Sequence, residues 1–562
     1  MFPLRAVAVV ASLCCILVVG CASDEDAELE GKPARPNIVF FIVDDLRHDT
    51  LGATGHPFFR SPQIDRLAEE GARFDEMFVI SSLCSPSRAT MMTGLYTHEH
   101  GVRNIWTELS PSEPTIAGML RGAGYETAWI GKWHLNAAGD PHPDFDHWVS
   151  FPAHGHYVDP FLNVDGRVIT TDGHMTDILT RRALQFMRLP RDRPFFLALS
   201  HPAVHQPYVP QARFDGLYAG APVELPVTWD DGNLHKPSYL GCRAIEETDE
   251  QLRSLIRDYF DLLAGVDESL GMVLTQLEQL EILDDTVVIL VGDNGYLLGE
   301  HGALDKRTAY EPSMRVPLLV RYPRWFDPGQ RVSDAMALNL DLPVTILEAA
   351  GVEIPESMRG HSLRALADGE VARDDFVYHF YRDPESSLTP DIRALRTHDL
   401  KYITHPGSFE PEELYDLRAD PDEAVNLAVD PEWADEMNDM RSRLAEARAE
   451  IGDHGGGVAG RREDQPWVAR VFVEVRDAKS TEPVRGATLE VTSDDPLAAG
   501  TVRTGPDGRW YTCAKTLDSA LQFRLTSVSA PGFETAGPFT TVTLEAGANE
   551  YTKLVRLRKA PQ

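Results

Sequence analysis

Two pairs of oxygen-bearing side chains each follow an apolar run of the chain. Asp44 and Asp45 come directly after residues 37–43. Asp293 and Asn294 close a second run of this kind. Such runs are typical of strands covered on both faces of a parallel sheet, and ligands bind at the carboxyl edge of these sheets. We therefore expect the two pairs to meet. Their oxygen atoms suit a hard cation, Ca²⁺ or Mg²⁺, and no His and Cys set of the kind that zinc prefers accompanies them.

A cysteine with a chemical role is the second feature of the sequence. The chain has six cysteines, of which Cys14, Cys15 and Cys21 belong to the N-terminal leader described below. The three cysteines that remain are too few for a disulfide scaffold. Because three is an odd number, one thiol is expected to have a chemical function. Cys84 is the candidate, because Pro86 favours the first turn of a helix whose N-terminal N–H groups face an anion.

The segment that begins at Cys84 resembles the signature of the sulfatase family. It reads Cys-Ser-Pro-Ser-Arg-Ala-Thr-Met-Met-Thr-Gly, which contains the pattern Cys-x-Pro-Ser-Arg with the trailing Thr-Gly. In that family the cysteine is oxidised to formylglycine, whose aldehyde hydrate supplies the nucleophile, and the arginine contacts it. The resemblance implies these roles for Cys84 and Arg88, and it implies a formylglycine-generating or anaerobic maturase as a partner.

Two lysines and a histidine occupy further positions of the sulfatase pattern, in the family's order. Gly-Lys-Trp-His at residues 131–134 implies that Lys132 binds sulfate and that His134 serves formylglycine. Farther along, Leu-Gly-Glu-His-Gly leads to Lys306 as the family's last elements do. The resemblance implies that Lys306 touches sulfate and the bridging oxygen.

The segment 200–207 resembles the family's His-x-Pro element, whose histidine lies near the leaving-group oxygen. His205 fits the spacing better than His201. In the implied chemistry a hydrate oxygen attacks sulfur, and His205 or Lys306 protonates the departing sugar oxygen. His134 then takes a proton from the remaining hydroxyl. The implied metal ligands, for Ca²⁺ in preference to Mg²⁺, are Asp44, Asp45, modified Cys84, Asp293 and Asn294.

The substrate class rests on a finer resemblance. Residues 298–318 look like the N-acetylglucosamine-6-sulfatase branch, which implies a sulfated oligo- or polysaccharide substrate. The loops of residues 138–176, rich in His and Asp, are expected to shape the sugar pocket. Three alternatives stay open: a sulfatase of other substrates such as marine galactans or choline sulfate, a phosphoesterase of the wider alkaline phosphatase superfamily, and a non-enzymatic glycan-binding pseudosulfatase.

Composition and pattern indicate a folded α/β protein with an appended module. With 53 Lys and Arg against 87 Asp and Glu, the net charge of −34 argues against a nucleic-acid partner, because no basic footprint exists. The family resemblance implies an alkaline-phosphatase-like, mainly parallel sheet flanked by helices. After a Gly-rich connector, alternating apolar residues predict a β-sandwich that resembles carboxypeptidase regulatory-like modules. This module is a spacer or stabiliser, or it binds glycan through Trp510 or Tyr511.

The N-terminal segment predicts export. Arg5 precedes an apolar run, residues 6–20, that is too short to span a membrane and is typical of a signal peptide. The run ends Val-Val-Gly-Cys at Cys21, which resembles the bacterial lipobox and implies a lipid anchor on that cysteine. The alternative is an ordinary signal peptide cut near Ala22. We expect a periplasmic, outer-membrane or cell-surface lipoprotein.

The predicted domains follow from these features. They are a lipoprotein signal peptide at 1–20, an acidic tether at 21–34, the sulfatase catalytic α/β domain at 35–370, a small α+β C-terminal subdomain at 371–452, a linker at 453–465 and the β-sandwich module at 466–562.

Overall fold

A computed structural model describes most of the chain after residue 34. The described residues are 35–229, 236–242, 247–382, 389–408, 410–455, 469–480, 482, 484, 487–493, 500–503, 509–514, 521–537, 542–544 and 550–560. The chain divides into two units, Met1–Arg35 and Pro36–Gln562, and all described residues except Arg35 belong to the second. The predicted signal peptide, tether and Cys21 lie outside the described residues. None of the helices described is long and apolar enough to cross a membrane.

The strands up to residue 455 form a large sheet and two small ones. They are β1 (Asn37–Val43), β2 (Ala72–Phe78), β3 (Glu126–Gly131), β4 (His147–Ser150), β5 (Phe161–Val164), β6 (Arg167–Thr170), β7 (Phe195–His201), β8 (Thr286–Gly292), β9 (Leu297–Leu298), β10 (Leu304–Asp305), β11 (Leu318–Arg321), β12 (Gln330–Leu338), β13 (Asp375–Phe380), β14 (Ile392–Thr397), β15 (Leu400–Thr404) and β16 (Glu413–Asp416).

The large sheet has ten strands in the order β12-β2-β11-β8-β1-β7-β3-β4-β5-β6. Its centre, from β8 to β4, is parallel. Alternate residues of β1 enter two separate cores, Ile38 and Phe40 on one face and Val39 and Phe41 on the other. This two-sided burial explains why β1 is apolar throughout instead of alternating.

Helices cover both faces of the large sheet. The helices are α1 (Pro62–Glu70), α2 (Cys84–Thr93), α3 (Thr97–His100), α4 (Ile116–Gly122), α5 (Met175–Met187), α6 (Ser238–Cys242), α7 (Asp249–Gln279), α8 (Glu311–Met314), α9 (Asp341–Ala349), α10 (Leu363–Ala367) and α11 (Ala434–Glu450). Residues of α2, α4 and α9 pack in one core, and residues of α1, α5 and α7 pack in the other. The predicted α/β class with a mainly parallel sheet is therefore confirmed.

A smaller antiparallel sheet, β13-β14-β15-β16, follows the large one in the chain. Helix α11 packs against it through Met437, Met440 and Leu444, which share a core with Val377 and Leu395. Met437, Met440 and Leu444 recur at the helical period and so lie on one buried face of α11.

The C-terminal strands form two sheets that enclose their own core. They are β17 (Ala469–Asp477), β18 (Thr488–Ser493), β19 (Gly500–Arg503), β20 (Arg509–Ala514), β21 (Leu521–Ser529), β22 (Val542–Leu544) and β23 (Glu550–Leu557). One sheet has the order β20-β17-β23 and the other β19-β18-β21-β22. Val473 and Val555 of the first pack with Leu489 and Leu525 of the second, as in a β-sandwich. Trp510 and Tyr511 belong to β20, but their side chains lie outside the described part, so a glycan-binding role for them stays a prediction.

Candidate active site

The carboxyl ends of β1 and β8 bring the two predicted metal-binding pairs together. Val43 of β1 stands opposite Gly292 of β8 in the parallel register, so the residues that follow share one edge of the sheet. The amide of Asp45 donates to Asp293 Oδ1 at 3.1 Å, and Asn294 Nδ2 donates to Asp45 Oδ1 at 2.6 Å. All four members of the two pairs are buried.

The predicted nucleophile lies at the start of α2, the helix that begins at Cys84. Its Sγ lies 3.5 Å from Asp44 Oδ1, and ligand atoms of Asp44, Asp45 and Cys84 all lie within 4.8 Å of one another. Among the described residues, no hydrogen-bond partner reaches the buried oxygens Asp45 Oδ2 and Asn294 Oδ1. Because unsatisfied buried acceptors are costly, these two oxygens are suited to bind a cation. The oxygen-rich donor set fits Ca²⁺ or Mg²⁺.

Two lysines approach Cys84 through their ammonium groups. Lys306 Nζ lies 2.8 Å from Cys84 Sγ and forms an ion pair with Asp45. Lys132 Nζ lies 3.6 Å from the same sulfur and forms an ion pair with Asp44. Both lysines are buried. The arrangement gives an anion at this position two cationic neighbours in a medium that screens charge weakly.

Arg88 forms hydrogen bonds with residues from three parts of the chain around the site. Its Nε donates to Asp293 Oδ2 at 2.8 Å, and its Nη1 donates to the Lys132 carbonyl and to Ser200 Oγ, each at 2.6 Å. In the part of the chain that the structure describes, its Nη2 is buried without a hydrogen-bond partner. Arg88 therefore orients Asp293 and the end of β3, which Lys132 follows, and none of its hydrogen bonds to described residues goes to Cys84.

Burial and charge shift the pKa values of the site. Burial, reinforced by the Asp44 carboxylate, raises the pKa of the Cys84 thiol to about 11. The same two causes raise the pKa of Asp293 to about 6. Burial alone would also raise the pKa of Asp44, but Lys132 and Lys306 outweigh it and hold that pKa well below its ordinary value. For Lys306, burial would lower the pKa, yet the neighbouring negative groups raise it, so the ammonium is retained.

The structure distinguishes the two candidate histidines of the His-x-Pro element. His205 lies at the site, with Nε2 3.8 Å from Asp45 Oδ2 and Nδ1 2.6 Å from the carbonyl oxygen of Gln206. His201 lies in the core, where its Nε2 is 2.9 Å from Ser269 Oγ. Of the two, His205 is therefore the histidine that lies near Asp45, and its role in the reaction stays a prediction.

His134 lies beside the start of α2. Its carbonyl accepts a hydrogen bond from Ser85 Oγ at 2.6 Å, while its buried Nδ1 has no hydrogen-bond partner among the residues described. Burial, followed by the charge of Lys132, lowers the pKa of His134 well below its ordinary value. The ring is therefore neutral and has a lone pair with which it can accept a proton.

A cavity of about 210 Å³ opens onto Cys84. Its lining residues are Leu83, Cys84, Ile105, His154, His205, Gln206, Tyr296, Asp305, Lys306 and Arg307. Sequence reasoning assigned no role to His154, Gln206, Tyr296, Asp305 or Arg307. Several of these are next to predicted site residues in the sequence, and this proximity could have identified them as candidates. His154 has only the weaker signal of its place in the 138–176 loops.

Comparison with known proteins assigns the family. The sulfatase model matches residues 36–352. The chain belongs to the sulfatase family. A second model, N-sulphoglucosamine sulphohydrolase, C-terminal, matches residues 299–450 of this sulfatase. The protein is thus an enzyme that hydrolyses sulfate esters, and its fold is the alkaline-phosphatase-like fold of its structural neighbours.

Characterised relatives cover most of this sulfatase. The N-acetylglucosamine-6-O-sulfatase of Bacteroides thetaiotaomicron is 29% identical over 516 residues, covering 79% of this chain and 90% of the relative. The choline-sulfatase of Rhizobium meliloti is 30% identical and covers 71% of this chain and 83% of its own. The solved structure of BT4656 in complex with its substrate D-glucosamine-2-N,6-O-disulfate has a TM-score of 0.69 and 28% identity, covering 75% of this chain and 99% of that chain.

Proposed function

We propose that this sulfatase removes sulfate from sulfated carbohydrate, of the N-acetylglucosamine-6-sulfate type, through a formylglycine formed from Cys84. The observation that carries the proposal is the position of Cys84, buried at the start of α2 between the ammonium groups of Lys132 and Lys306. The Bacteroides relative and the glucosamine disulfate complex support the choice of sugar.

The site contains the oxygen-bearing side chains that a metal ion beside the modified cysteine would need. Asp44, Asp45, Asp293 and Asn294, with residue 84, would hold a divalent cation, Ca²⁺ in preference to Mg²⁺. A cation here polarises sulfate and lowers the pKa of the hydrate. Cys84 Sγ stands where a hydrate oxygen of formylglycine would lie. Formylglycine supplies two hydroxyls, so sulfate can leave by proton loss from the second, without attack of water on sulfur.

Lys132 and Lys306 bind the sulfate group in this proposal. Their ammonium groups flank Cys84 Sγ at 3.6 and 2.8 Å, which places positive charge where negative charge develops on the sulfate oxygens. Preorganised charge of this kind is usually the largest contribution to catalysis in a buried site. Arg88 holds Asp293 in position for the same chemistry.

Lys306 is the better candidate for protonating the departing sugar oxygen. The bond from His205 Nδ1 to the Gln206 carbonyl places the proton of the neutral ring on Nδ1, so Nε2 has none to give. Burial, with Lys306 and Lys132, also lowers the pKa of His205 to about 3. Lys306 keeps its protons near the reacting position, and neutral His134 can accept the proton of the second hydroxyl.

One experiment tests class and substrate together. The mature chain is co-expressed with a formylglycine-generating enzyme, the Cys84 peptide is weighed, and sulfate release is measured with Ca²⁺. Substrates are N-acetylglucosamine-6-sulfate, sulfated galactoses, choline sulfate and a phosphate ester, with Cys84→Ser as the matched control. We expect conversion of Cys84, release from the glucosamine ester, and no repeated turnover by Cys84→Ser. Release only from another ester refutes the sugar, whereas phosphate ester turnover by the unmodified thiol refutes the mechanism.

We also propose that the enzyme is exported, matured by a formylglycine-generating or anaerobic enzyme, and anchored by a lipid on Cys21. The support is the leader of residues 1–20 and its lipobox-like end. Fractionation of cells that express the full chain, with and without detergent, tests the anchor.

A further inference from the structure

His154, to which the sequence assigned no role, lies inside the site. It belongs to the loop between β4 and β5 and lines the same cavity as Cys84. Its ring stacks on His205 with centroids 4.0 Å apart and planes at 22°. It meets the ring of His134 edge to face at 4.8 Å. The side chain therefore stands between the two histidines expected to act in the reaction.

The residues on either side of His154 have left-handed backbone conformations. These are Ala153 and Gly155, with φ of 50° and 67°. Such conformations in non-glycine residues cluster at functional sites, where the surrounding structure must hold them. The hydroxyl of Tyr157 donates to the carbonyl of His205 at 2.7 Å, which ties the loop to the stacking partner.

Lys132 determines which nitrogen of His154 carries the ring proton. Its Nζ lies 2.9 Å from His154 Nδ1. A charged ammonium can only donate, so Nδ1 accepts and the proton resides on Nε2. Within the described part of the chain, His154 Nε2 makes no hydrogen bond. His154 lines the cavity, and its Nε2–H is a donor on the side of the ring that faces away from Lys132.

We propose, on the basis of the function proposed above, that His154 contacts the substrate and that its Nε2–H donates a hydrogen bond to an oxygen of the bound sulfate group. The neighbouring Lys132 keeps the donor correctly oriented. Because negative charge on the sulfate oxygens grows as the ester bond breaks, a donor fixed at this position stabilises the transition state more than the ground state.

The test compares variants of the matured, metal-loaded full chain. His154→Gln keeps an amide N–H near the position of Nε2, whereas His154→Asn places its amide near Nδ1. His454→Ala, at an exposed histidine that follows α11 and lies outside the site, is the control. We expect His154→Asn to lose about 10-fold or more in kcat/KM, with a parallel weakening of inhibition by inorganic sulfate, and His154→Gln to recover most of both. His454→Ala should match the wild type.

Two results would overturn the proposal. One is equal kcat/KM for the Gln and Asn variants with unchanged inhibition by sulfate, at wild-type thermal stability. That result would mean that the ring acts through packing alone. The other is a His154→Asn variant as active as the wild type. If the wild-type enzyme releases no sulfate from any ester, the proposed function fails instead, and calorimetric binding of inorganic sulfate to the same variants still decides the role of His154.

Discussion

Replacement of Lys306 by Met, measured on two esters with different leaving groups, distinguishes the two roles proposed for this lysine. Methionine has a similar length and removes only the ammonium, which lies 2.8 Å from Cys84 Sγ. The side chain is 4% exposed, so water does not replace the lost charge. We expect both the binding of developing charge and the protonation of the leaving oxygen to be lost together.

The expected magnitude depends on the leaving group. A unit charge about 4 Å from another is worth roughly 4 kcal/mol at an effective dielectric constant of about 20. Loss of one preorganised donor lowers kcat by about 10²–10³. A nitrophenyl sulfate needs no proton on its leaving oxygen, so its kcat should fall by about that factor alone. A sugar sulfate also loses general acid catalysis, which adds a further factor of about 10² or more.

The assay is kcat for both substrates in the wild type, Lys306→Met and His205→Ala. Metal content is measured in each protein, because Lys306 pairs with Asp45 and its removal alters the charge around the metal ligands. An equal loss on both esters in Lys306→Met would refute Lys306 as the proton donor. A selective loss on the sugar ester in His205→Ala would assign that role to His205.

Two further predictions concern the metal and a buried carboxyl group outside the site. Chelation should abolish turnover and lower the melting temperature, because Asp45 Oδ2 and Asn294 Oδ1, which have no hydrogen-bond partner among the described residues, lose the cation. Ca²⁺ at about 100 times its Kd should restore about 2.7 kcal/mol, measured by thermal unfolding against a Mg²⁺ titration. If neither ion shifts the melting temperature, the metal site is wrong. Asp267 Oδ1 accepts the amides of Gln63 and Ile64 at 3.0 and 2.8 Å, and burial raises its pKa to about 7. Its contribution to stability is therefore complete below the ordinary Asp pKa and is lost as the pH rises through about 7, so the free energy of unfolding of the wild type should fall relative to Asp267→Asn by about 2–3 kcal/mol between roughly pH 5 and pH 8. If denaturant titrations gave the same pH dependence of the free energy of unfolding for the wild type and Asp267→Asn, this prediction would be wrong.

Sequence patterns were sufficient for the strands and helices that hold the site. The apolar run before Asp44 predicts a two-sided buried strand, and β1 is one. The spacing of Met437, Met440 and Leu444 predicts a helix with one buried face, and α11 buries these residues. Such features follow from local periodicity, because the side chains of one element meet the same environment at regular intervals.

The order of the strands in the large sheet could not be predicted from local periodicity. Strand β11 runs antiparallel between β2 and β8, although the domain is mainly parallel. Its pairing joins residues far apart in the chain, so no local pattern specifies it. The same holds for Arg88, whose bonds to Asp293 and Ser200 connect three separate parts of the chain.

The sequence by itself determined the family resemblance, the two ligand pairs and the candidate residues of the reaction, since these depend on residue types at short spacings. The tertiary structure decided which histidine of 200–207 faces the site, and it brought His154 to Lys132. It also placed His205 Nδ1 against the carbonyl of Gln206 and Nε2 on the side of Asp45. These properties arise from contacts between loops, and only the folded chain sets the distances on which hydrogen bonds and charges depend.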